Sequence, residues 1–272
     1  MGRAETSALQ GSRYLQVQDH QIHTQDVHLL RLTYTLSHKT PPCATIHPPL
    51  PSNATAHAMP DVQNPTEFQT LILDLGDVLF TWSAVTTTPI PPRLLKDIMN
   101  GPTWFDYERG RISQEECYAR VGEEFAVAPS DVDEALKQAR ESLRPNEELL
   151  ALVRELKARY AGRLRVFALS NISLPDYEFV SRLPTDWSIF DKVFPSALLG
   201  ERKPDMAAYE KVVREAGIDP ATAVFVDDKV ENVEAARRLG IHGIVFDKQE
   251  GVFQALRKIF GDRVREKQSE EI

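Results

Sequence analysis

Thr70-Leu71-Ile72-Leu73-Asp74-Leu75-Gly76-Asp77-Val78-Leu79-Phe80 is the stretch on which the reading of this chain turns. Its short apolar run reads as a buried strand. The run stops at a carboxylate, Asp74, and a glycine comes two residues later. Open parallel α/β sheets build their sites in this way, because ligands collect outside the carboxyl ends of the strands. An aspartate that merely caps a turn gives the same local pattern, so the rest of the chain must decide between the two.

Downstream the chain alternates strand and helix. Leu164-Arg165-Val166-Phe167-Ala168-Leu169 reads as a strand ending at Ser170-Asn171, and Lys192-Val193-Phe194 as a short one. Asp205 to Ala216 reads as a helix closed by Gly217, a residue suited to the left-handed position after a helix. Ala223-Val224-Phe225-Val226 is a strand ending at Asp227-Asp228, and Val230 to Leu239 is a helix closed by Gly240. Ile244-Val245-Phe246 is a further strand. This alternation implies βαβ units and a parallel sheet.

Residues 83–149 interrupt it with a helical pattern. Ser113-Gln114-Glu115-Glu116 and Ser130-Asp131-Val132-Asp133 have the form of helix N-termini. Trp104 to Arg111 reads as an aromatic and charged connection between helices, and a longer helix runs from Glu147 to Tyr160 after Asn146. The expected architecture is α/β, a Rossmann-like parallel core over 67–82 and 150–272 with a small helical cap over 83–149. The aromatics Trp104, Phe105 and Tyr107, with Arg109, either line a pocket under that cap or pack between its helices. An arginine facing the site suits an anionic substrate.

Residues 1–66 are of another character. Six of the seven histidines and seven of the 18 prolines lie here, without metal-binding spacing or hydrophobic periodicity. Such a segment buries too little apolar surface to offset the entropy of ordering it. It reads as a disordered, dispensable extension, with Met59 as the expected start of the functional protein. Leu29-Leu30-Arg31-Leu32 is too short for a secretory signal.

A net charge of −8 argues against nucleic acid or an anionic membrane as partner. No apolar run approaches the length of a membrane span. Cys43 and Cys117 form no disulfide framework, which points to a reducing, cytoplasmic setting.

Three strands thus end in Asp74, Ser170 and Asp227/Asp228, and Lys203-Pro204 precedes a helix. Clustered carboxylates need a cation between them, and a hard oxygen donor set suits Mg²⁺ with phosphate oxygens. These four motifs, in this order, resemble the haloacid dehalogenase (HAD) superfamily with a helical cap after the first strand. The resemblance covers roughly residues 68–260. It implies an aspartyl nucleophile at Asp74 and phosphoryl binding by Ser170 with Asn171. It implies Lys203 as the neutralising cation and Mg²⁺ held by Asp74, the Gly76 carbonyl and Asp228, supported by Asp227. Most phosphatases of this family carry a second aspartate, the general acid, where this chain has Gly76. Asp77, a water or a substrate group would then supply the proton.

The expected activity is Mg²⁺-dependent hydrolysis of a phosphomonoester of a small metabolite by a monomer or homodimer. Asp227-Asp228-Lys229-Val230-Glu231 also resembles the DDxxE motif that holds diphosphate–Mg²⁺ in terpene enzymes, so a terpenoid diphosphate is the alternative substrate. No DxDTT motif accompanies it. Glu231 reads equally as an acid in the first turn of a helix, where it complements the dipole. A weakly catalytic module that binds a phosphorylated ligand is the reading from another class.

Overall fold

The computed structural model describes residues 67–160 and 162–261. The extension over 1–66, its histidines and Met59 lie outside them. In chain order the elements are β1 (Thr70–Leu73), β2 (Phe80–Thr81), α1 (Pro92–Met99), α2 (Pro102–Glu108), α3 (Gln114–Phe125) and α4 (Pro129–Glu141). Then come β3 (Arg144–Pro145), α5 (Glu147–Arg159), β4 (Arg165–Ser170), α6 (Leu174–Val180), β5 (Lys192–Pro195) and α7 (Ser196–Leu199). The chain continues through α8 (Met206–Ala216), β6 (Ala223–Asp227), α9 (Val230–Arg238), β7 (His242–Val245) and α10 (Gln249–Gly261).

Five strands form one parallel sheet in the order β5-β4-β1-β6-β7. β1 is central, with Leu73 level with Ala168 of β4 and with Val226 of β6. The chain first builds outward on one side of β1 and then crosses to the other. The carboxyl ends of β1, β4 and β6 therefore lie at the point where strand order reverses, the place where α/β sheets bind ligands.

Alternating side chains feed opposite faces of this sheet. Leu71, Leu73, Val166, Ala168, Val224 and Val226 pack with α5 and α10, while Ile72, Phe167, Leu169 and Phe225 pack with α8 and α9. Both faces are covered, which is why these strands read as continuous apolar runs. Asp191, just ahead of β5, accepts the Val166 amide at 2.7 Å, and Gly217, at φ +57°, closes α8.

The helices α1–α4 bring their own apolar cluster, from Ala84 to Leu136 and including Trp104 and Tyr107. β2 and β3 pair antiparallel where this segment leaves and re-enters the core. Asn146 caps α5 by accepting the Leu149 amide (3.1 Å), and its own amide donates to the Leu79 carbonyl (2.7 Å).

Two local readings of this segment need correction. Trp104 to Tyr107 lie inside α2 rather than in a connection. Pro102 supplies the first helical φ, and Trp104, Tyr107 and Glu108 fall on one buried face. α4 starts at Pro129 after Ala128, with no side-chain cap, so Ser130 lies within the helix. Ser113, by contrast, does cap α3, accepting from the Glu116 amide.

Candidate active site

β1 ends in Asp74, which is 7% exposed and has its amide tied to the Val226 carbonyl at 2.9 Å. Its Oδ1 accepts from the Leu75 amide at 2.7 Å and lies 2.8 Å from Lys203 Nζ. Lys203 is fully buried. Its ammonium also donates to Asp227 Oδ2 (2.6 Å) and to the Leu169 carbonyl (2.7 Å). An ammonium with three acceptors is satisfied in spite of burial. Asn171 fixes the backbone beneath it, accepting from the Lys203 amide (2.8 Å) and donating to its carbonyl (2.9 Å).

Asp227 has both oxygens engaged, since Oδ1 accepts from the Lys229 amide (2.8 Å) and from Asn232 Nδ2 (2.9 Å). It orders the turn into α9 and anchors Lys203. Asp228, beside it, is half-buried, and one of its oxygens meets Lys229 Nζ at 2.7 Å. Glu231 is exposed in the first turn of α9, as its helix-dipole reading expects.

Asp74, Asp227 and Asp228 each offer a carboxylate oxygen within 4.8 Å of the others. Burial, opposed by Lys203 and reinforced by Asp227, pushes the Asp74 carboxyl well above the usual carboxylate range. Burial would lower the Lys203 ammonium, yet the Asp227 and Asp74 charges reverse this and raise it. One lysine shared by two buried carboxylates leaves negative charge over. The donors are all oxygen, so the arrangement suits a hard divalent cation.

The turn after β1 folds back on itself, with the Leu79 and Phe80 amides both donating to the Leu75 carbonyl. Asp77 sits in it at φ +55°, exposed, with Oδ2 accepting from Trp82 Nε1 at 3.3 Å. Burial and the Asp228 charge raise its carboxyl, partly offset by the Trp82 bond. Gly76 faces open space, and a Cβ placed there meets no atom within 4 Å.

Beside these groups lies a cavity of about 140 Å³. Gly76, Ser170 and Asn171 form its polar end, while Phe80, Trp82, Met99, Trp104, Leu136 and Leu143 supply much of its wall. The charged side chains that border it are paired: Glu108 with Arg202 at 2.8 Å, and Arg140 with Asp176 at 2.8 Å.

Asp74, Lys203, Asp227, Asp228, Ser170, Asn171 and Gly76 thus come together at the strand ends. Arg109 does not join them. It is bound to Asp205 at 2.5 Å and lies outside the cavity wall. Trp104 lines the cavity, whereas Tyr107 packs inside the helical cluster and Phe105 lies under Arg202 at 3.8 Å. Sequence reading passed over Glu108, Arg140, Asp176 and Arg202. Only Arg202, next to Lys203, carried a positional hint.

Residues 50–240 match the family model "haloacid dehalogenase-like hydrolase". The chain is 35% identical to the sesquiterpene phosphatase astK of Aspergillus oryzae over 196 residues, covering 72% of this chain and 98% of that protein. It is 40% identical to the drimenol cyclase drtB of Aspergillus calidoustus over 191 residues, 70% of this chain but only 36% of that protein's length. A HAD-like family hydrolase of Porphyromonas gingivalis superposes with a TM-score of 0.58 at 25% identity, covering 72% of this chain and all of that one. With the strand-end carboxylates and the buried lysine in place, the chain belongs to the haloacid dehalogenase-like hydrolases.

Proposed function

We propose that this protein is a Mg²⁺-dependent phosphatase whose substrate carries an apolar, sesquiterpenoid-sized group. The observation that carries the reading is the cavity wall. It is largely aromatic and aliphatic, its bordering charges are paired, and its polar end holds Ser170, Asn171 and Gly76, next in the chain to the Asp74 turn. A sugar or nucleotide would leave its hydroxyls unmatched against such a wall, at a cost of about 1–3 kcal/mol for each unpaired polar group. Similarity to a sesquiterpene phosphatase along nearly that protein's whole length supports the same class. α1–α4 act as a cap that roofs the cavity.

Asp74 attacks phosphorus and the P–O bond to the organic alcohol breaks, leaving an aspartyl-phosphate that water then hydrolyses. Splitting one displacement into two lowers the barrier of each. Lys203 holds Asp74 in place and offsets the charge gathering on the phosphoryl oxygens. Ser170 and the backbone amide of Asn171, whose side chain is engaged with Lys203, bind one of those oxygens. Asp74 and Asp228, with the Gly76 carbonyl, would hold Mg²⁺, and Asp227 fixes Lys203 beside them. An ion held there would supply charge shielding between the anionic phosphate and the attacking carboxylate.

The test is a panel of farnesyl monophosphate, farnesyl diphosphate, hexose phosphates and p-nitrophenyl phosphate, with Mg²⁺ and with chelator. Turnover of a farnesyl ester at a kcat/KM at least roughly tenfold above the hexose phosphates, lost on chelation, is expected. Preference for hexose phosphates would refute the apolar-substrate reading, and turnover in chelator would refute the metal.

A further inference from the structure

The helical segment meets the core at a three-residue corner, Glu108-Arg109-Gly110, where α2 ends. The Glu108 carbonyl accepts from Ser196 Oγ at 2.6 Å. Gly110, at φ +68°, lies so close to α7 that a Cβ would stand 2.8 Å from the Ala197 carbonyl oxygen. Arg109 reaches Asp205. The Glu108 carboxylate, 8% exposed, accepts from Arg202 Nε at 2.8 Å and from Trp104 Nε1 at 3.2 Å. The Arg202 guanidinium lies over the Phe105 ring, 3.8 Å away. Two of these core partners, Arg202 and Asp205, flank Lys203 in the chain.

We propose that Glu108 is a positioning residue: through Arg202 it seats Lys203 against Asp74, and so ties catalysis to docking of the helical corner. The inference rests on the assignment of Asp74 and Lys203 as the phosphoryl-transfer pair. Arg202 and Lys203 are consecutive, and an Arg202 guanidinium clamped between the Glu108 carboxylate and the Phe105 ring restrains the backbone that Lys203 shares with it. Asn171 holds that backbone from the core side, and the Glu108–Arg202 pair holds it from the helical side. Breaking the Glu108–Arg202 pair with either group still buried is costly, so the pair favours the docked corner. Trp104 and Glu108 also border the cavity, so a substrate lying there favours the docked arrangement and, with it, the seated lysine.

The test compares wild type with Glu108→Gln, Arg202→Lys and the double variant. With p-nitrophenyl phosphate, kcat should fall roughly 10- to 100-fold in each single variant, the scale of a misplacement near 1 Å. KM should stay within about twofold, because the ester's contacts are untouched. The double variant should be no slower than the slower single one, since both changes break the same link. Calorimetric titration with orthovanadate and Mg²⁺ needs no turnover, and its affinity should drop about tenfold in step with kcat.

Folded Glu108→Gln with wild-type kcat and wild-type vanadate affinity would overturn the proposal. So would a lowered melting temperature with unchanged kcat per folded molecule, because Glu108 would then only pack. If Glu108→Gln fails to fold, Trp104→Phe removes one donor to the carboxylate and keeps the ring, and is judged on the same two readouts. A wild type that cleaves no phosphate ester, yet binds vanadate more tightly than Glu108→Gln, would refute the phosphatase reading while supporting the positioning role.

Discussion

Asp74 is asked to be buried and anionic at once. Its carboxyl is raised far above its unfolded value, so the folded state holds a proton that the unfolded state has released. That stability is fully present below the ordinary carboxylate range and is lost as pH rises toward the raised value. Asp74→Asn should abolish turnover, since an amide cannot become an acyl-phosphate. In metal-free buffer it should also melt higher than wild type, by at least about 2–4 °C near pH 8 and by less near pH 5. Equal melting temperatures across that range would mean that Lys203 already compensates the charge. The neighbouring Gly76 poses the question of the proton. Open space at its Cβ position lets Gly76→Asp fold without a clash. If Asp77 serves as the acid, Asp77→Asn should slow alkyl phosphates by roughly 10²-fold or more while sparing p-nitrophenyl phosphate, whose leaving group needs no proton. A silent Asp77→Asn together with a faster Gly76→Asp would place the acid at position 76 instead. The exposed side chain of Asp77, turned to Trp82, makes both arms informative.

Among the elements, the α3 and α4 starts show what sequence signals are worth. Both carry a serine with an acid three residues later. Only Ser113 caps, because at α4 the proline one residue earlier takes the first helical position and moves the boundary back. Ser113→Ala should therefore cost about 0.5–2 kcal/mol, whereas Ser130→Ala should stay within about 0.5 kcal/mol. Urea melts of the two variants decide it, and equal losses would deny the cap at Ser113 any special role. The strands β1, β4, β5 and β6 were legible to within about a residue, since a run buried on both faces has one reading. By contrast, β7 starts two residues earlier than its apolar run, and the short β2–β3 pair carries no such run. Trp104 to Tyr107 were not, because aromatic residues beside charged ones suit a loop as well as a short helix whose polar side faces water.

At the scale of the whole molecule, two apolar clusters clasp the sheet and a third holds α1–α4 together. The helical segment meets the core at the Glu108–Gly110 corner and through the Arg140–Asp176 pair. Gly110 is the corner's tightest point, with a positive φ and a carbonyl where a side chain would go. Gly110→Ala should lower stability by about 1–3 kcal/mol through strain and overlap. It should also speed amide exchange in α2 and α7 more than in β1, β4 and β6. Uniform exchange throughout would mean that the corner does not act as a joint. No helix among the described residues is long and apolar enough to cross a membrane.

The sequence by itself determined the parallel α/β core, the interrupting helices and the set of chemical groups at the strand ends. Those features arise from local periodicity and from where an apolar run stops, and both are written residue by residue. Tertiary structure alone decided what each group does there. Asp227 and Asp228 are neighbours in the chain, yet one is tied to Lys203 and a turn while the other is paired only at its exposed edge. Arg109 is drawn to Asp205, 96 residues away, and Glu108 to Arg202, 94 residues away. The cavity's wall likewise gathers side chains from β2, α1, α2 and α4 around the ends of β1 and β4. Pairings across such separations depend on how the helical segment docks, and docking is a property of assembled surfaces that no window of sequence contains.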